Sequence, residues 1–260
     1  MRITCVQMNM AENRPEENFP RAAALLRSAA ASEKPDVLVL PETWNTGFAP
    51  SRLDPACADA DGARTLREMS ALTRELSVNI VAGSVTTMRA GKLYNTAMAF
   101  DRAGERIASY DKTHLFSPMG EDRVYEKGNA LCRFTLDGMR CGLIICYDLR
   151  FPELTRSLAL TGLDLLFVVS QWPAVRAMHL SLLTRARAVE NQMYVALCNS
   201  CGTAGGTRCG GGSAVIDPFG NVLAGAGEEE TVITADADPA VLMEIRGSIP
   251  VFADRRPELY

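Results

Sequence analysis

Two reactive side chains follow strand-like apolar runs in this sequence. Glu42 comes directly after the run in VLVLPE, and Cys146 ends the run RCGLIIC before a charged turn. A carboxylate at the carboxyl end of a strand lies where open α/β sheets bind ligands. Turn N–H groups, and those of a helix beginning near Pro152, would favour a thiolate at Cys146. The pattern predicts a nucleophilic cysteine beside a carboxylate, whereas the alternatives are a solvated loop glutamate and an inert buried thiol.

A lysine and a second glutamate lie between these two positions. Lys112 follows a strand-like segment in SYDKTHLF, and Glu121 comes nine residues later. Each residue alone is typical of a solvated surface. A glutamate beside a thiolate opposes its ionisation, so a lysine would be needed there to balance the charge.

Three other chemistries have weaker support. A Cys–His pair would have to use His114 or His179, and neither lies in a turn with an evident orienting carboxylate or carboxamide. The segment GGTRCGGG, residues 205–212, lacks the lysine of a phosphate-binding loop and runs into a strand, so we interpret it as a mobile or tightly turned loop. Cys198 and Cys201 have zinc-like spacing, but one such pair without a second is a weak signal. The sequence therefore predicts no metal site.

The elements that must position these residues alternate between strands and helices. Short aliphatic runs predict strands, and apolar residues at helical spacing predict helices. In the first half the predicted strands are 3–8, 36–40, 79–85, 95–100 and 106–110, and the helices are 15–32 and 63–76. In the second half the predicted strands are 132–136, 140–146, 164–170, 194–199, 213–216, 222–224 and 231–237, and the helices are 153–161, 178–192 and 239–246.

This order repeats in the two halves of the chain, each of which includes a hairpin. Two such sets predict an α/β protein with two mixed sheets covered by helices. No linker rich in Gly, Ser or Pro is long enough to divide the 260 residues. We therefore expect a single domain over residues 1–260.

Composition and charge exclude several classes of partner. Apolar residues make up 47% and charged residues 22% of the chain, as is usual for globular proteins. The net charge is −4 and no basic cluster occurs, so we expect no nucleic-acid partner. No stretch is apolar enough for a membrane helix, and the N-terminus lacks a signal-peptide core. We expect a cytoplasmic protein without membrane contacts, whose eight cysteines form no disulfide framework.

Three motifs together resemble those of the carbon–nitrogen hydrolase (nitrilase) superfamily. They are VLVLPE with Glu42, YDKTHLF with Lys112 and CGLIICYDLRFPE with Cys146, and they occur in the family's order. Segments 185–195 and 211–223 are also similar to the family pattern. The resemblance extends over essentially the whole chain. It implies a four-layer α-β-β-α sandwich, no cofactor, and a homodimer or larger homo-oligomer.

The resemblance also implies a mechanism. Glu42, Lys112 and Cys146 would form a Glu-Lys-Cys catalytic triad, and Glu121 matches the family's second glutamate. Cys146 would attack an amide carbon while Glu42 takes the thiol proton, giving a thioester intermediate. Burial should make Glu42 easier to protonate, and Lys112 should lower the pKa of Cys146. Lys112 and the N–H of Tyr147 would hold the oxyanion, and Glu121 would orient Lys112 or the incoming water.

Within the superfamily the chain resembles the ω-amidase branch, which implies hydrolysis of the ω-amide of a 2-oxo dicarboxylic acid. The CYDLRFPE form favours an amidase, because true nitrilases typically carry CWE at the nucleophile. The substrate-binding candidates near the triad are Tyr147, Phe116, Trp172 and Arg150. Phe116 and Trp172 could equally belong to the core. A distal carboxylate could bind Arg150, His114 or Arg123. Arg150 could instead form a salt bridge to Asp148 or Glu153.

Two other functions remain open from the sequence. Hydrolysis of N-carbamoyl compounds or of other small aliphatic amides could use the same triad, and carbon dioxide released with ammonia would identify the carbamoyl reaction. The alternative of a different class is an inactive dimeric binding or scaffold protein. The presence of Glu42, Lys112 and Cys146 together argues against that alternative.

The C-terminal segment 248–260, SIPVFADRRPELY, has apolar residues without a period of 2 or 3.6, and it contains two prolines. Such a segment cannot form a core of its own, so it must pack along another surface. The family resemblance suggests that this surface belongs to the partner subunit.

Overall fold

The computed structural model describes residues 1–259, which form two mixed β-sheets, a small hairpin and five α-helices. The helices are α1 (Pro15–Glu33), α2 (Ala63–Leu76), α3 (Pro152–Ala159), α4 (Ala177–Asn191) and α5 (Pro239–Ser248). The strands are β1 (Arg2–Gln7), β2 (Val37–Val39), β3 (Asp59–Ala60), β4 (Asn79–Arg89), β5 (Lys92–Phe100), β6 (Arg106–Asp111), β7 (Arg133–Leu136), β8 (Met139–Ile145), β9 (Leu165–Ser170), β10 (Tyr194–Asn199), β11 (Thr203–Ala204), β12 (Thr207–Arg208), β13 (Ala214–Ile216), β14 (Val222–Gly225) and β15 (Thr231–Asp236).

Each large sheet has parallel strands at its centre and antiparallel strands at its edges. The first sheet has the order β15-β1-β2-β4-β5-β6, with β3 beside β4, and β1, β2 and β4 run parallel. The second has the order β14-β13-β10-β9-β8-β7, in which β8, β9 and β10 run parallel. The carboxyl ends of β2, β8 and β9 are therefore the places where polar side chains can leave the sheets.

The hydrophobic core has two layers. One cluster joins the sheets face to face and includes Val39 and Val81 of the first sheet and Ile144 and Val168 of the second. The same cluster reaches α3 and α4 on the outer face of the second sheet. A second cluster packs α1 and α2 on the outer face of the first sheet. This order of helix, sheet, sheet and helix confirms the predicted fold class.

Most elements have bounds within two residues of the predicted ones, but β4 (Asn79–Arg89) and β5 (Lys92–Phe100) are longer than the predicted strands 79–85 and 95–100, and β3 was not predicted. Two further regions differ. Val37–Val39 is shorter than the predicted strand 36–40, because Pro41 has no N–H to continue the ladder. Residues 205–212 were predicted as a loop, and the structure forms the hairpin β11–β12 around the turn at Gly205 and Gly206, both of which have positive φ.

The C-terminal segment leaves the end of α5 and runs beside α3. The ring of Phe252 lies 5.3 Å from the Arg156 guanidinium carbon. Ile249 and Leu259 remain 54% and 66% exposed, so the segment buries only part of its apolar surface within the chain. Tyr260 lies outside the described residues. Within residues 1–259 no helix has the length and apolar character needed to span a membrane.

Candidate active site

The carboxyl ends of β2 and β9 meet between the two sheets. The N–H of Glu42 donates to the carbonyl of Ser170 at 3.4 Å, and the N–H of Gln171 donates to Glu42 Oε2 at 2.8 Å. Gln171 also donates from its side chain to the Glu42 carbonyl at 3.3 Å. These contacts fix both the backbone and the carboxylate of Glu42 in a fully buried position. The alternative of a solvated loop glutamate is therefore wrong.

Lys112 lies between two glutamates. Its Nζ is 2.8 Å from Glu42 Oε1, and 3.0 and 2.9 Å from the two carboxylate oxygens of Glu121. All three side chains are fully buried. The structure thus brings together three of the four predicted catalytic residues as one ion cluster.

The charges of this cluster determine which groups are ionised. Burial by itself lowers the pKa of Lys112, but Glu121 and Glu42 raise it well above the usual lysine value. Lys112 is therefore a permanent cation and no proton acceptor. Burial raises the pKa of Glu121, as does the charge of Glu42, whereas Lys112 and the N–H of Phe116, 2.6 Å from Glu121 Oε2, oppose this rise.

Cys146 is the first residue after β8 and begins a short 3₁₀ helix, Cys146–Arg150. Its φ is 46°, a left-handed value that is uncommon for residues other than glycine and recurs at functional sites. Burial raises the pKa of the Cys146 thiol well above its usual value, as does the nearby, hydrogen-bonded Glu42, while Lys112 lowers it. Lys112 thus acts in the expected direction, but burial and the charge of Glu42 outweigh it, so the net pKa of the thiol is raised. The free thiol is protonated and needs a base.

Asp148 connects the segment that carries Cys146 to the segment that carries Lys112. Its buried carboxylate accepts hydrogen bonds from the N–H of Ile145 at 3.0 Å and from the Tyr110 hydroxyl at 2.8 Å. It also accepts from the backbone N–H of His114 at 2.9 Å. Sequence reasoning missed this residue, although it lies within the CYDLR motif.

His114 has an orienting carboxylate that the sequence did not reveal. Its Nδ1 lies 2.9 Å from Asp148 Oδ1 and 3.1 Å from the Thr113 hydroxyl, and its ring stacks on Phe151 at 3.7 Å. These contacts turn the imidazole toward Asp148. Glu42, and not His114, is the base whose charge acts on Cys146, which favours a Glu–Cys over a Cys–His pair.

A cavity of about 440 Å³ of empty space opens in front of Cys146. The four predicted substrate-binding residues all contribute to its wall, which includes Tyr147, Phe116, Trp172 and Arg150. The predicted glycine-rich loop contributes as well, because the hairpin β11–β12 brings Ala204, Thr207 and Cys209 to the same wall.

Two arginines line this cavity. The Arg150 guanidinium carbon lies 4.8 Å from the Trp172 ring, and that of Arg176 lies 5.4 Å from the Phe116 ring. Arg150 also contacts His179 Nδ1 at 3.2 Å. Neither arginine forms an ion pair within residues 1–259. The cavity thus has two half-buried cations without a carboxylate partner.

The other candidates for carboxylate binding are not placed at this wall. Arg123 is exposed, and His114 is turned toward Asp148. The salt bridge of Arg150 to Asp148 or Glu153, which was the alternative, does not form in the described chain. Arg176 was missed because its position after Pro173 suggested no role by itself.

Cys198 has a packing role. Cys198 is fully buried and donates to the carbonyls of Val6 and Val39 at 3.4 and 3.3 Å. Among residues 1–259 no three histidine, cysteine, aspartate or glutamate side chains come together as a metal site. Cys198 thus packs between the two sheets, against β1 and β2.

Comparison with known proteins identifies the family. The family model described as carbon-nitrogen hydrolase matches residues 2–246. A 2-oxoglutaramate amidase of Bacillus subtilis is 40% identical over 258 residues, which are 99% of this chain and 98% of that protein. The human omega-amidase NIT2 is 34% identical over 272 residues, covering 100% of this chain and 96% of that one.

A solved structure agrees with this result. A CN-hydrolase superfamily protein from Xanthomonas campestris, whose structure has an arsenic adduct in the active site, matches with a TM-score of 0.91 and 31% identity. The match covers 98% of this chain and 97% of that protein. This chain therefore belongs to the carbon-nitrogen hydrolase family, as its motifs predicted.

Proposed function

We propose that this carbon–nitrogen hydrolase is an ω-amidase, which converts the ω-amide of a 2-oxo dicarboxylic acid to the dicarboxylic acid and ammonia. The observation that carries the proposal is the cavity in front of Cys146. It combines a thiol beside a buried glutamate with two arginines that have no carboxylate partner among residues 1–259. The two named relatives, a 2-oxoglutaramate amidase and an omega-amidase, support the same substrate class.

The first half of the reaction is acylation of Cys146. Its sulfur attacks the amide carbon, the thiol proton passes to Glu42, and the carbonyl oxygen becomes an oxyanion. Glu42 then gives the proton to the amide nitrogen, the C–N bond breaks, and ammonia leaves a thioester behind. The raised pKa of the thiol supports base assistance, because little thiolate exists at neutral pH without it.

The second half is hydrolysis of the thioester. Glu42 accepts a proton from water as the water oxygen attacks the acyl carbon. The proton returns to the sulfur when the C–S bond breaks and the acid leaves. One carboxyl group thus serves both halves, and no histidine is needed.

Lys112 stabilises the oxyanion in both halves. Two of its three contacts go to the two oxygens of one carboxylate, that of Glu121, so one N–H can serve both oxygens and another can turn to the oxyanion. Such a donor contributes about 3–4 kcal/mol in a well-studied protease. Glu121 meanwhile holds the ammonium next to Cys146.

The two arginines bind the substrate's distal carboxylate and its 2-oxo group. Burying a carboxylate costs desolvation that only a cation or several donors can offset, and an arginine fork matches a carboxylate with two parallel hydrogen bonds. Arg150 and Arg176 lie against Trp172 and Phe116, which hold their planes at the cavity wall. We expect the charged substrate to be preferred over its neutral ester.

The assembly is proposed to be a homodimer in the cytoplasm. Helix α4 exposes Met178, Leu182 and Val189 by 67%, 61% and 48%, next to the 44% exposed Phe219. An apolar surface of this kind is typical of an interface. The eight free cysteines favour a reducing compartment.

The experiment that tests this function is an ammonia assay on a panel of small amides. The panel contains the ω-amides of 2-oxo dicarboxylic acids, their neutral esters, simple aliphatic amides and N-carbamoyl compounds. We expect the highest kcat/KM for the charged 2-oxo ω-amides. Carbon dioxide appearing with ammonia would instead identify a carbamoyl hydrolase, and turnover indifferent to the carboxylate would contradict the ω-amidase proposal.

The remaining alternative, an inactive dimeric scaffold, is tested without any substrate. Iodoacetamide should label Cys146 near neutral pH, because Glu42 accepts the proton as the sulfur reacts. An unlabelled Cys146 in folded protein would favour the scaffold.

A further inference from the structure

Asn95 contacts all three charged residues of the buried cluster. Its Nδ2 donates to Glu42 Oε1 at 2.8 Å and to Glu121 Oε1 at 3.2 Å. Its backbone carbonyl accepts the N–H of Lys112 at 2.9 Å. Asn95 lies in β5 and is fully buried. One residue thus sets the distances among Glu42, Glu121 and Lys112.

The orientation of the Asn95 carboxamide follows from its neighbours. Both hydrogens of Nδ2 have carboxylate acceptors, whereas the buried Oδ1 has no hydrogen-bond partner in the described chain. The reverse orientation would turn Oδ1 toward two anions. The Asn95 carboxamide therefore contributes its two N–H donors to the cluster, while its buried oxygen remains without a donor among the described residues.

The hydrogen bonds also distinguish the two oxygens of Glu42. Each carboxylate oxygen has two lone pairs. Oε1 accepts from both Lys112 and Asn95 and is full, whereas Oε2 accepts from the N–H of Gln171 and keeps one lone pair. In Glu121 both oxygens have two donors. Oε2 of Glu42 is consequently the oxygen with room for a proton.

We propose that Asn95 is a positioning residue that keeps the two glutamates ionised together and directs the Cys146 proton to Glu42 Oε2. The inference rests on the proposed chemistry of Glu42 and Cys146, but not on the identity of the amide. Two anions share a single cation in this cluster, so it carries one excess negative charge. Two hydrogen bonds from a neutral donor stabilise that charge without adding a second cation.

The other ionisable groups around the two glutamates do not obscure the effect of Asn95 in a pH profile. Lys112 approaches from just after β6, and Cys146 approaches from the 3₁₀ helix. Tyr125 approaches from the segment after Glu121, and Cys209 from beyond β12. The pKa of each of these four groups is raised. Burial raises the pKa of Glu121 as well, so we expect Glu121 to take up a proton as the pH falls below neutral.

The test uses Asn95→Leu, which is similar in size and has no donor. Hydrogen bonds to a carboxylate favour its charged form by roughly one pH unit each. Their loss lets the site take up a proton at higher pH, so the acid limb of activity moves upward. The readout is the rate of Cys146 alkylation by iodoacetamide between pH 4 and 8, which needs no amide substrate. In this step the S–C bond forms, iodide leaves and the thiol proton passes to Glu42.

We expect the acid limb of Asn95→Leu to lie about 1 pH unit or more above that of wild type. Asn95→Ser keeps one donor, is less disruptive to folding, and should show a smaller shift in the same direction. Asn191→Leu is the matched control, because Asn191 is also a buried asparagine with an unpartnered Oδ1, at the end of α4. It should lose stability without moving the limb.

The outcomes separate this inference from the proposed function. A reactive Cys146 whose acid limb stays within about 0.3 pH unit in both Asn95 variants overturns the positioning role. An equal shift in Asn191→Leu overturns it too, since the shift would then follow from lost stability. A Cys146 that does not react in wild-type protein contradicts the proposed function itself.

Discussion

Replacing Glu42 by Gln tests whether one carboxyl group carries both proton transfers. The substitution keeps the size of the side chain but exchanges one oxygen for an NH₂ group. In one orientation this group faces the N–H of Gln171, which donates to Glu42 Oε2 at 2.8 Å. In the other it faces Lys112 and Asn95. In either orientation the new NH₂ group faces another hydrogen-bond donor.

The structure allows the magnitude of both effects to be worked out. A buried donor left without an acceptor costs about 1–3 kcal/mol of folding free energy. The excess negative charge of the cluster disappears at the same time, which relieves the repulsion between positions 42 and 121. We therefore expect a stability loss at the lower end of that range. Loss of the general acid and base should lower kcat by roughly 10²- to 10⁴-fold.

The assay compares kcat for ammonia release and the midpoint of thermal unfolding in wild type, Glu42→Gln and the surface control Glu75→Gln. Glu75 pairs with Arg27 at the surface, far from the cavity, so its change should leave kcat unaltered. A Glu42→Gln protein that keeps more than about a tenth of the wild-type kcat would refute the assignment of Glu42 as the catalytic acid and base.

Two further predictions concern substrate binding and assembly. Arg150→Lys should raise KM about tenfold or more for the charged substrate but not for its ester, because a lysine cannot form the bidentate contact. The substitution Arg123→Lys at an exposed position serves as the control. Equal acid-to-ester ratios of kcat/KM in wild type and Arg150→Lys would remove Arg150 from the substrate site. Deletion of residues 248–260 should shift the species seen in sedimentation from dimer toward monomer, since this segment leaves Ile249 and Leu259 largely exposed within one chain. An unchanged dimer would show that the segment plays no part in assembly.

The elements of the fold follow from local patterns in the sequence. α2 was predicted with its observed bounds, Ala63–Leu76, because its apolar residues recur at helical spacing and Ser77 in left-handed conformation ends it. β10 was predicted correctly as Tyr194–Asn199 for a similar reason, as a short aliphatic run. The hairpin β11–β12 was missed, because its two-residue strands are too short to show any period.

The residues that hold the reactive groups in place are harder to predict from the sequence than the reactive groups themselves. Glu42 and Cys146 stand out because each ends a strand-like run. No local sequence pattern identifies Asn95 and Gln171, because their roles depend on contacts with Glu42, which lies 53 and 129 residues away in the chain. The raised pKa of Cys146 was missed for a related reason. The sequence indicated Lys112 near the sulfur, but not that the sulfur is buried beside Glu42, and both raise the pKa of the thiol more than Lys112 lowers it.

The central claim, that Cys146 forms a thioester with the acyl group, is tested most directly by mass spectrometry of the acyl-enzyme. Wild-type protein is mixed with a slowly hydrolysed amide, quenched in acid during turnover, and digested. The account predicts that the peptide containing Cys146 gains the mass of the acyl group, and that this adduct is absent in Cys146→Ala, which should fold normally but release no ammonia. Steady ammonia release with no adduct at Cys146, or by Cys146→Ala, would contradict the account.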